Sequence, residues 1–215
     1  MKTRFALWTM FLLAIATVSV PAVTLYVDLN STNPVPPYAD WSTAATNIQD
    51  AIDASTNGDL ILVTNRNYRT SGRIAPDGWL TSVVVTNAVT LHSVNGLSST
   101  LIDEDGSMRC MYLTNDVAST GFTLTNGYMN GNGDGICCTS TNTQVSNCLL
   151  INNYSGFFGG AAYLATLNNC KLANNYSSGY GGGAALKLRQ FFSHHFRKRL
   201  NRFLAEFKVT AGGGE

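Results

Sequence analysis

The sequence predicts an all-β protein built as a parallel β-helix, in which short strands wind into stacked coils. From residue 60 to residue 186 the chain alternates brief apolar runs with turns rich in Asn, Gly, Ser and Thr. Residues 147–164 recur at residues 169–186, without a gap and with 11 of 18 positions identical. A unit this short cannot bury a core of its own, so the copies must stack on one another. A β-sandwich or a propeller would not explain such an ungapped repeat.

Length, composition and charge indicate one ordinary domain, alone or with appendages. Of the 215 residues, 45% are hydrophobic and 13% are charged, which excludes a disordered chain. Residues 1–186 contain 7 basic and 11 acidic side chains, whereas residues 187–215 contain 7 and 2. The uneven balance excludes a uniformly basic nucleic-acid-binding protein, so we expect no nucleic acid partner.

Residues 1–22 have the pattern of a cleaved signal peptide. Lys2 and Arg4 form a short positive region, residues 5–20 are almost entirely apolar, and small residues precede a cleavage site after Ala22. A membrane anchor is the alternative, but the apolar run is shorter than the roughly 20 residues that span a bilayer. We therefore expect a secreted or cell-surface protein whose β-helix covers residues 23–186.

One amphipathic helix is expected before the first strands of the solenoid. Between Trp41 and Ser55, four apolar residues fall on one helical face, and Ser42 or Thr43 could cap the helix. The sequence GDLILV at residues 58–63 then predicts a tight turn and a strand. We expect this helix to cap the N-terminal end of the solenoid.

The two clearest repeats place equivalent side chains on successive coils. A period-two pattern directs Cys148 and Leu150, and likewise Cys170 and Leu172, towards the interior. The asparagines Asn153 and Asn175 should form a ladder that satisfies backbone groups at a recurrent bend. An earlier copy begins at Gly121. The stacked cysteines are either small buried hydrophobic residues or a disulfide between coils.

Several of these elements together resemble a known family. The segments LYVDLNS, WSTAATNIQDAIDAS, GDLILV and GFTLTNG, with the repeated NC-x-L-x-NN and GGA elements, are similar to exported right-handed parallel β-helix proteins of the pectin-lyase-like class. The GGA elements also resemble the repeats of polymorphic outer-membrane proteins, although those repeats usually have Phe where this chain has Leu150 and Leu172. The resemblance covers about residues 24–186 and implies right-handed coils.

The sequence provides no catalytic motif, and we assign neither catalytic residues nor a metal or other cofactor. The densest acidic group, Asp103-Glu104-Asp105 with Arg109 nearby, is interpreted as a solvated turn. Asp134 is interpreted as a loop residue, and His92 as a turn or surface residue. Solenoid active sites are assembled from distant residues, so an enzyme without a sequence motif stays an alternative.

These observations favour a structural or adhesive module with polysaccharide or another cell-surface component as its partner. Aromatic residues at the turns of the last two repeats are the candidate ligand-binding residues: Tyr154, Phe157, Phe158, Tyr176 and Tyr180. The alternative is a carbohydrate-active enzyme, either a polysaccharide lyase or a glycoside hydrolase. Clustering of Asp103, Asp105, Asp116 and Asp134 on one face would favour the enzyme.

Residues 187–215 break the repeat pattern. Five apolar side chains from Phe192 to Phe207 recur at helical spacing, opposite a basic cluster at residues 197–202. We expect a basic amphipathic helix that contacts a membrane surface or covers the last coil. The third interpretation is that truncation or a frame change replaced the rest of the repeat at this point.

Overall fold

The structure is a computed structural model that describes residues 21–69 and 71–185. It confirms the prediction of a parallel β-solenoid, which has about five coils and one α-helix. The proposed signal peptide, apart from its last two residues, and the basic tail at 187–215 lie outside the described residues. Among the residues that are described, no helix has the length and apolar character needed to cross a membrane.

Four sheets run along the solenoid. A coil contributes no more than one strand to a given sheet, except where β4 and β5 form a hairpin in the same sheet. Sheet I contains β1 (Thr24–Val27), β2 (Leu60–Val63), β6 (Thr90–Ser93), β9 (Ala118–Thr120), β13 (Gln144–Ser146) and β17 (Thr166–Asn168). Sheet II contains β3 (Arg66–Tyr68), β7 (Thr100–Asp103), β10 (Thr123–Thr125), β14 (Leu149–Ile151) and β18 (Lys171–Ala173). Sheet III contains β11 (Tyr128–Met129), β15 (Tyr154–Ser155) and β19 (Tyr176–Ser177). Sheet IV contains β4 (Arg73–Ile74), β5 (Leu80–Val85), β8 (Arg109–Leu113), β12 (Ile136–Cys138), β16 (Ala162–Tyr163) and β20 (Ala184–Ala185).

The coils become shorter along the chain. In sheet I, Leu60 pairs with Thr90 and Gln144 pairs with Thr166, and the stretch of sequence between the partners is longer in the first pair than in the second. Every pairing between the described strands is parallel except that of β4 with β5, which form an antiparallel hairpin. Sheet III begins only at β11, so the coils before it turn from sheet II to sheet IV without a described strand at this corner.

The core is made of columns of apolar side chains at equivalent positions. Ile102, Leu124, Leu150 and Leu172 pair in sequence across sheet II, and the first three are fully buried. The neighbours of Leu150, Leu149 and Ile151, are only partly buried because the side chains of a strand alternate between the two faces. The solenoid therefore has a continuous apolar interior.

A ladder of two asparagines lies inside the bend after sheet II. The buried Asn153 side chain accepts a hydrogen bond from the Gly127 backbone N–H at 2.9 Å and donates one to the Leu124 carbonyl at 3.1 Å. The Asn175 side chain in turn donates to the Leu150 carbonyl at 2.8 Å. Each amide thus links its own coil to the one before it and satisfies backbone groups at the bend.

The cysteine column lies before sheet II. Lys171 N donates to the Cys148 carbonyl at 2.9 Å, which places Cys170 beside Cys148 on the next coil. Both thiols are buried and unoxidised, as are the other cysteines of the described chain. Their mutual hydrogen bond, together with burial, raises the pKa of Cys148, whereas the same bond lowers the pKa of Cys170 to about 7.

The N-terminal helix is shorter than the sequence pattern predicts. The helix α1 covers Ile48–Ala54, and its N-cap is Asn47, whose side chain accepts a hydrogen bond from the Asp50 N–H. The expected caps instead belong to a separate 3₁₀ turn, Trp41–Thr43, which is capped by Asp40. The buried face of α1 packs against β1, β2 and β5.

Candidate functional site

Three tyrosine rings form a row along the solenoid. The pairing of β11, β15 and β19 brings Tyr128, Tyr154 and Tyr176 into register. Successive ring centroids lie 4.9 and 5.1 Å apart, with interplanar angles of 26° and 21°. Tyr128 and Tyr176 are 50% and 57% exposed. We call these three residues the tyrosine row.

A second aromatic pair follows the tyrosine row on the last two coils. Phe158 and Tyr180 stack with ring centroids 6.0 Å apart, and the neighbouring Phe157 is 52% exposed. All five aromatic residues that the sequence suggested for ligand binding therefore lie on one corner of the solenoid.

Sequence reasoning missed Tyr128. The repeat could have identified this residue, because Tyr128 precedes Tyr154 by the same number of residues as Leu124 precedes Leu150. The turns between the copies differ in length and composition, which hides the third tyrosine of the row.

A shallow cleft of about 330 Å³ lies at the N-terminal end of the tyrosine row. Its lining residues are Asp105, Gly106, Asn126, Gly127, Tyr128, Asn152 and Tyr154. Among the described residues, Tyr128 stacks on Tyr154 alone. On the preceding coil, Gly106 N donates to the Asn126 carbonyl, and the Met108 carbonyl accepts from Tyr128 N. We call this depression the Tyr128 cleft.

The acidic turn next to the Tyr128 cleft is held by an arginine from the coil before. Arg69 lies 3.4 Å from Asp103 and 3.6 Å from Asp105. Burial would raise the pKa of Asp103, but hydrogen bonds from Asn126 and from the Asp105 backbone, together with Arg69, lower it overall. Arg109, which is near this turn in sequence, instead pairs with Asp77 and Asp134.

The acidic turn is not fully solvated, contrary to the sequence interpretation. Glu104 is only 3% exposed, and burial raises its pKa to about 7 although Ser82 donates a hydrogen bond to it. Three consecutive acidic residues thus occupy different environments, because adjacent side chains point in opposite directions.

A second cleft, of about 280 Å³, lies on the other side of the ion pair between Arg69 and Asp105. Its lining residues are Asn47, Gln49, Asp50, Arg69, Ser71, Gly72, Arg73 and Ser82. We call it the Arg69 cleft. Because Arg69 lines one cleft and its partner Asp105 lines the other, the two clefts and the tyrosine row form one surface, which we call the axial face.

A buried cluster of charged side chains lies beneath the axial face. The Arg109 side chain is fully buried, donates to Asp77 at 2.9 Å and lies 3.8 Å from Asp134. Asp134, interpreted from the sequence as a loop residue, is also fully buried, and burial raises its pKa to about 7. Its carboxylate accepts a hydrogen bond from Met129 N at 2.8 Å, so it holds β11 in place directly beside Tyr128.

The four aspartates proposed as an indicator of catalysis occupy three different corners. Asp103 and Asp105 flank the turn after sheet II, Asp134 lies between sheets III and IV, and Asp116 lies between sheets IV and I. His92 is on β6, paired with Leu62. The described residues contain no group of three or more His, Cys, Asp or Glu side chains positioned to hold a metal ion.

No known protein family, curated protein or solved structure matches the chain.

Proposed function

We propose that this chain is an exported surface or extracellular module whose axial face binds a polysaccharide in a structural or adhesive role. The observation that carries the proposal is the tyrosine row, which continues into two polar clefts on the same face of the solenoid. Residues 1–22 support export through their positive, apolar and small-residue regions.

The chemistry of the axial face suits a sugar chain. Tyrosine has an apolar ring and a hydroxyl, so it contacts both the C–H groups and the hydroxyl groups of a sugar. The carboxylate and amide groups that line the clefts add hydrogen-bond acceptors and donors. Successive coils are about 4.8 Å apart, a repeat comparable with one sugar unit of an extended chain. A regular linear glycan can therefore make equivalent contacts on several coils.

The resemblance in sequence supports two further parts of the proposal. We infer that the coils are right-handed and that the protein belongs to the pectin-lyase-like class, with repeats related to those of polymorphic outer-membrane proteins. The support is the set of segments from LYVDLNS to the NC-x-L-x-NN and GGA elements. We also infer that the basic tail contacts a membrane surface, because its sequence combines apolar residues at helical spacing with a cluster of basic residues.

Binding of soluble polysaccharides by affinity electrophoresis, followed by calorimetry, tests the main proposal. The panel contains glucans, mannans, xylans and uronate polymers. The double variant Tyr154→Ala, Tyr176→Ala should lose about fivefold or more in affinity for the bound glycan, because two aromatic contacts disappear. The matched control is Trp41→Ala, an exposed aromatic residue that packs on Tyr26 away from the axial face. Equal affinity of the double variant and the wild type would refute the proposal.

One observation favours the second candidate, a polysaccharide lyase or glycoside hydrolase. Arg69 lies 3.4 Å from Asp103 and 3.6 Å from Asp105, so two carboxylates and a cation meet at the edge of the Tyr128 cleft, the groups that such an enzyme needs. Formation of new reducing ends or of unsaturated uronate, measured for the wild type and for Asp103→Asn, tests this candidate. An enzyme would release product that the variant does not, whereas a binding module would release none.

A further inference from the structure

The Tyr128 cleft lies at one end of the tyrosine row, where Tyr128 stacks on Tyr154 and on no other ring of the described residues. Within the row, each inner ring face is covered by the next tyrosine, at centroid separations of 4.9 and 5.1 Å. The preceding coil contributes Asp105 and Gly106 to the cleft, and a β-carbon added to Gly106 would meet no atom within 4 Å. The cleft therefore leaves room for a flat apolar group against this tyrosine.

The polar groups around the Tyr128 cleft are a carboxylate and amides. Asp105 is the only acidic residue among the described residues of the lining, with its side chain 77% exposed, and Asn126 and Asn152 supply amides. The same described lining contains no Lys, Arg or His. A carboxylate and amides can accept hydrogen bonds from sugar hydroxyl groups, and the amides can donate to ring oxygens.

Arg69 does not make the charge beside the Tyr128 cleft positive. Arg69 lines the other cleft and approaches both Asp103 and Asp105, at 3.4 and 3.6 Å. One guanidinium thus faces two carboxylates, and the group of three carries a net negative charge. An anionic ligand placed in the Tyr128 cleft would meet Asp105 without a compensating cation in the described lining.

We propose that the Tyr128 cleft is a subsite for an uncharged sugar unit and that it discriminates against uronic acids. The apolar face of the sugar packs on the Tyr128 ring, and its hydroxyl groups donate to Asp105. This inference rests on the proposed function, because it assigns a ligand class to one end of the polysaccharide-binding face.

The test compares a neutral oligosaccharide with a uronate oligosaccharide of the same length by calorimetry at low salt. The neutral probe is taken from the polymer that the wild type binds best among glucans, mannans and xylans. The wild type should bind the neutral probe about tenfold or more tightly than the uronate probe. Asp105→Asn should weaken neutral binding several-fold and strengthen uronate binding, so that the ratio of the two affinities falls towards one.

The matched control is Asp116→Asn. Asp116 and Asp105 both have a positive φ, of 63° and 52°, which Asn tolerates, and Asp116 lies at another corner of the coil. Its replacement should leave the preference unchanged, and salt should weaken the preference of the wild type.

The outcomes separate this inference from the proposed function. A wild-type preference for uronate, or an unchanged preference in Asp105→Asn, overturns the subsite while binding through Tyr154 and Tyr176 can persist. Failure of the wild type to bind either probe overturns both.

Discussion

The Asn175 side chain oxygen accepts two hydrogen bonds from Asn153, one from its backbone N–H and one from its side chain amide, each at 3.0 Å. The asparagine of one coil thus completes the hydrogen bonding of the asparagine on the coil before it. Because Asn153 also binds Gly127 and Leu124, the ladder connects three consecutive coils directly beneath the tyrosine row.

Replacing Asn153 with Ala should lower the free energy of unfolding by about 2–4 kcal/mol, because the Gly127 N–H and the Leu124 carbonyl lose their partner in a buried bend. Chemical denaturation measures the change. The control is Asn168→Ala, whose exposed amide bonds to Gln144 at 3.0 Å and whose loss should cost less than about 0.5 kcal/mol. Equal costs at the two positions would show that the ladder does not stabilise the stack.

Replacing Arg109 with Met should destabilise the protein by about 3 kcal/mol or more, because Asp77 and the buried Asp134 lose their cationic partner. Arg73→Met is the control, since Arg73 forms an exposed ion pair with Asp53 and should contribute less than about 1 kcal/mol. Denaturant titration of both variants checks the prediction. It is wrong if the two substitutions cost the same.

Stability should fall as pH rises from about 4 to about 7, because burial raises the pKa of both Glu104 and Asp134 to about 7 in the folded protein. The pKa of Glu104 is raised from 4.5 to about 7 in the folded protein, so the folded state favours its protonated form. The contribution of Glu104 to the free energy of unfolding is fully present below pH 4.5 and is lost as pH rises through 7. The total loss is up to about 3 kcal/mol.

Urea denaturation at several pH values measures this slope. Glu104→Gln keeps the shape but not the ionisation, so it should reduce the slope by the share of Glu104 and leave that of Asp134, and it should be more stable than the wild type at about pH 8. Asn168→Ala, at an exposed position without an ionisable group, is the control and should leave the slope as it is. An identical slope in Glu104→Gln would contradict the assignment.

The double variant Ile48→Asp, Ile52→Asp should aggregate or lose thermal stability, because both side chains are buried where α1 covers β1 and β2. Light scattering after size exclusion and thermal melting measure the effect. Ile74→Asp serves as control, because Ile74 is 65% exposed. A monomeric double variant with unchanged melting would show that α1 does not protect the end of the solenoid.

The sequence was sufficient to predict the solenoid because the repeat appears in the chain itself. The ungapped copies that contain Cys148 and Cys170 imply stacking, and the stacking implies parallel strands and columns of like residues. The predicted start of α1 was wrong for a local reason. Asp40 and Asn47 are both good N-caps, and the chain forms a short 3₁₀ turn at the first before the helix begins at the second.

Charged contacts between coils could not be predicted in the same way. Arg109 and Asp134 are distant in sequence, as are Arg69 and Asp103, so their pairing depends on the register and on the lengths of the turns. Burial of Glu104 and Asp134 depends on neighbours from other coils. The axial face, which combines a row on one sheet with two clefts, emerges only once the coils are stacked.

The central claim is that the tyrosine row and its adjoining cleft contact a glycan. The most direct measurement is an NMR titration of protein with ¹³C-labelled tyrosine rings, using the oligosaccharide that binds best. The claim predicts that the resonances of Tyr128, Tyr154 and Tyr176 shift with one saturating dependence on ligand, while those of Tyr26 and Tyr68 stay in place. Shifts confined to tyrosines outside the row, or none at a concentration where calorimetry detects binding, would contradict it.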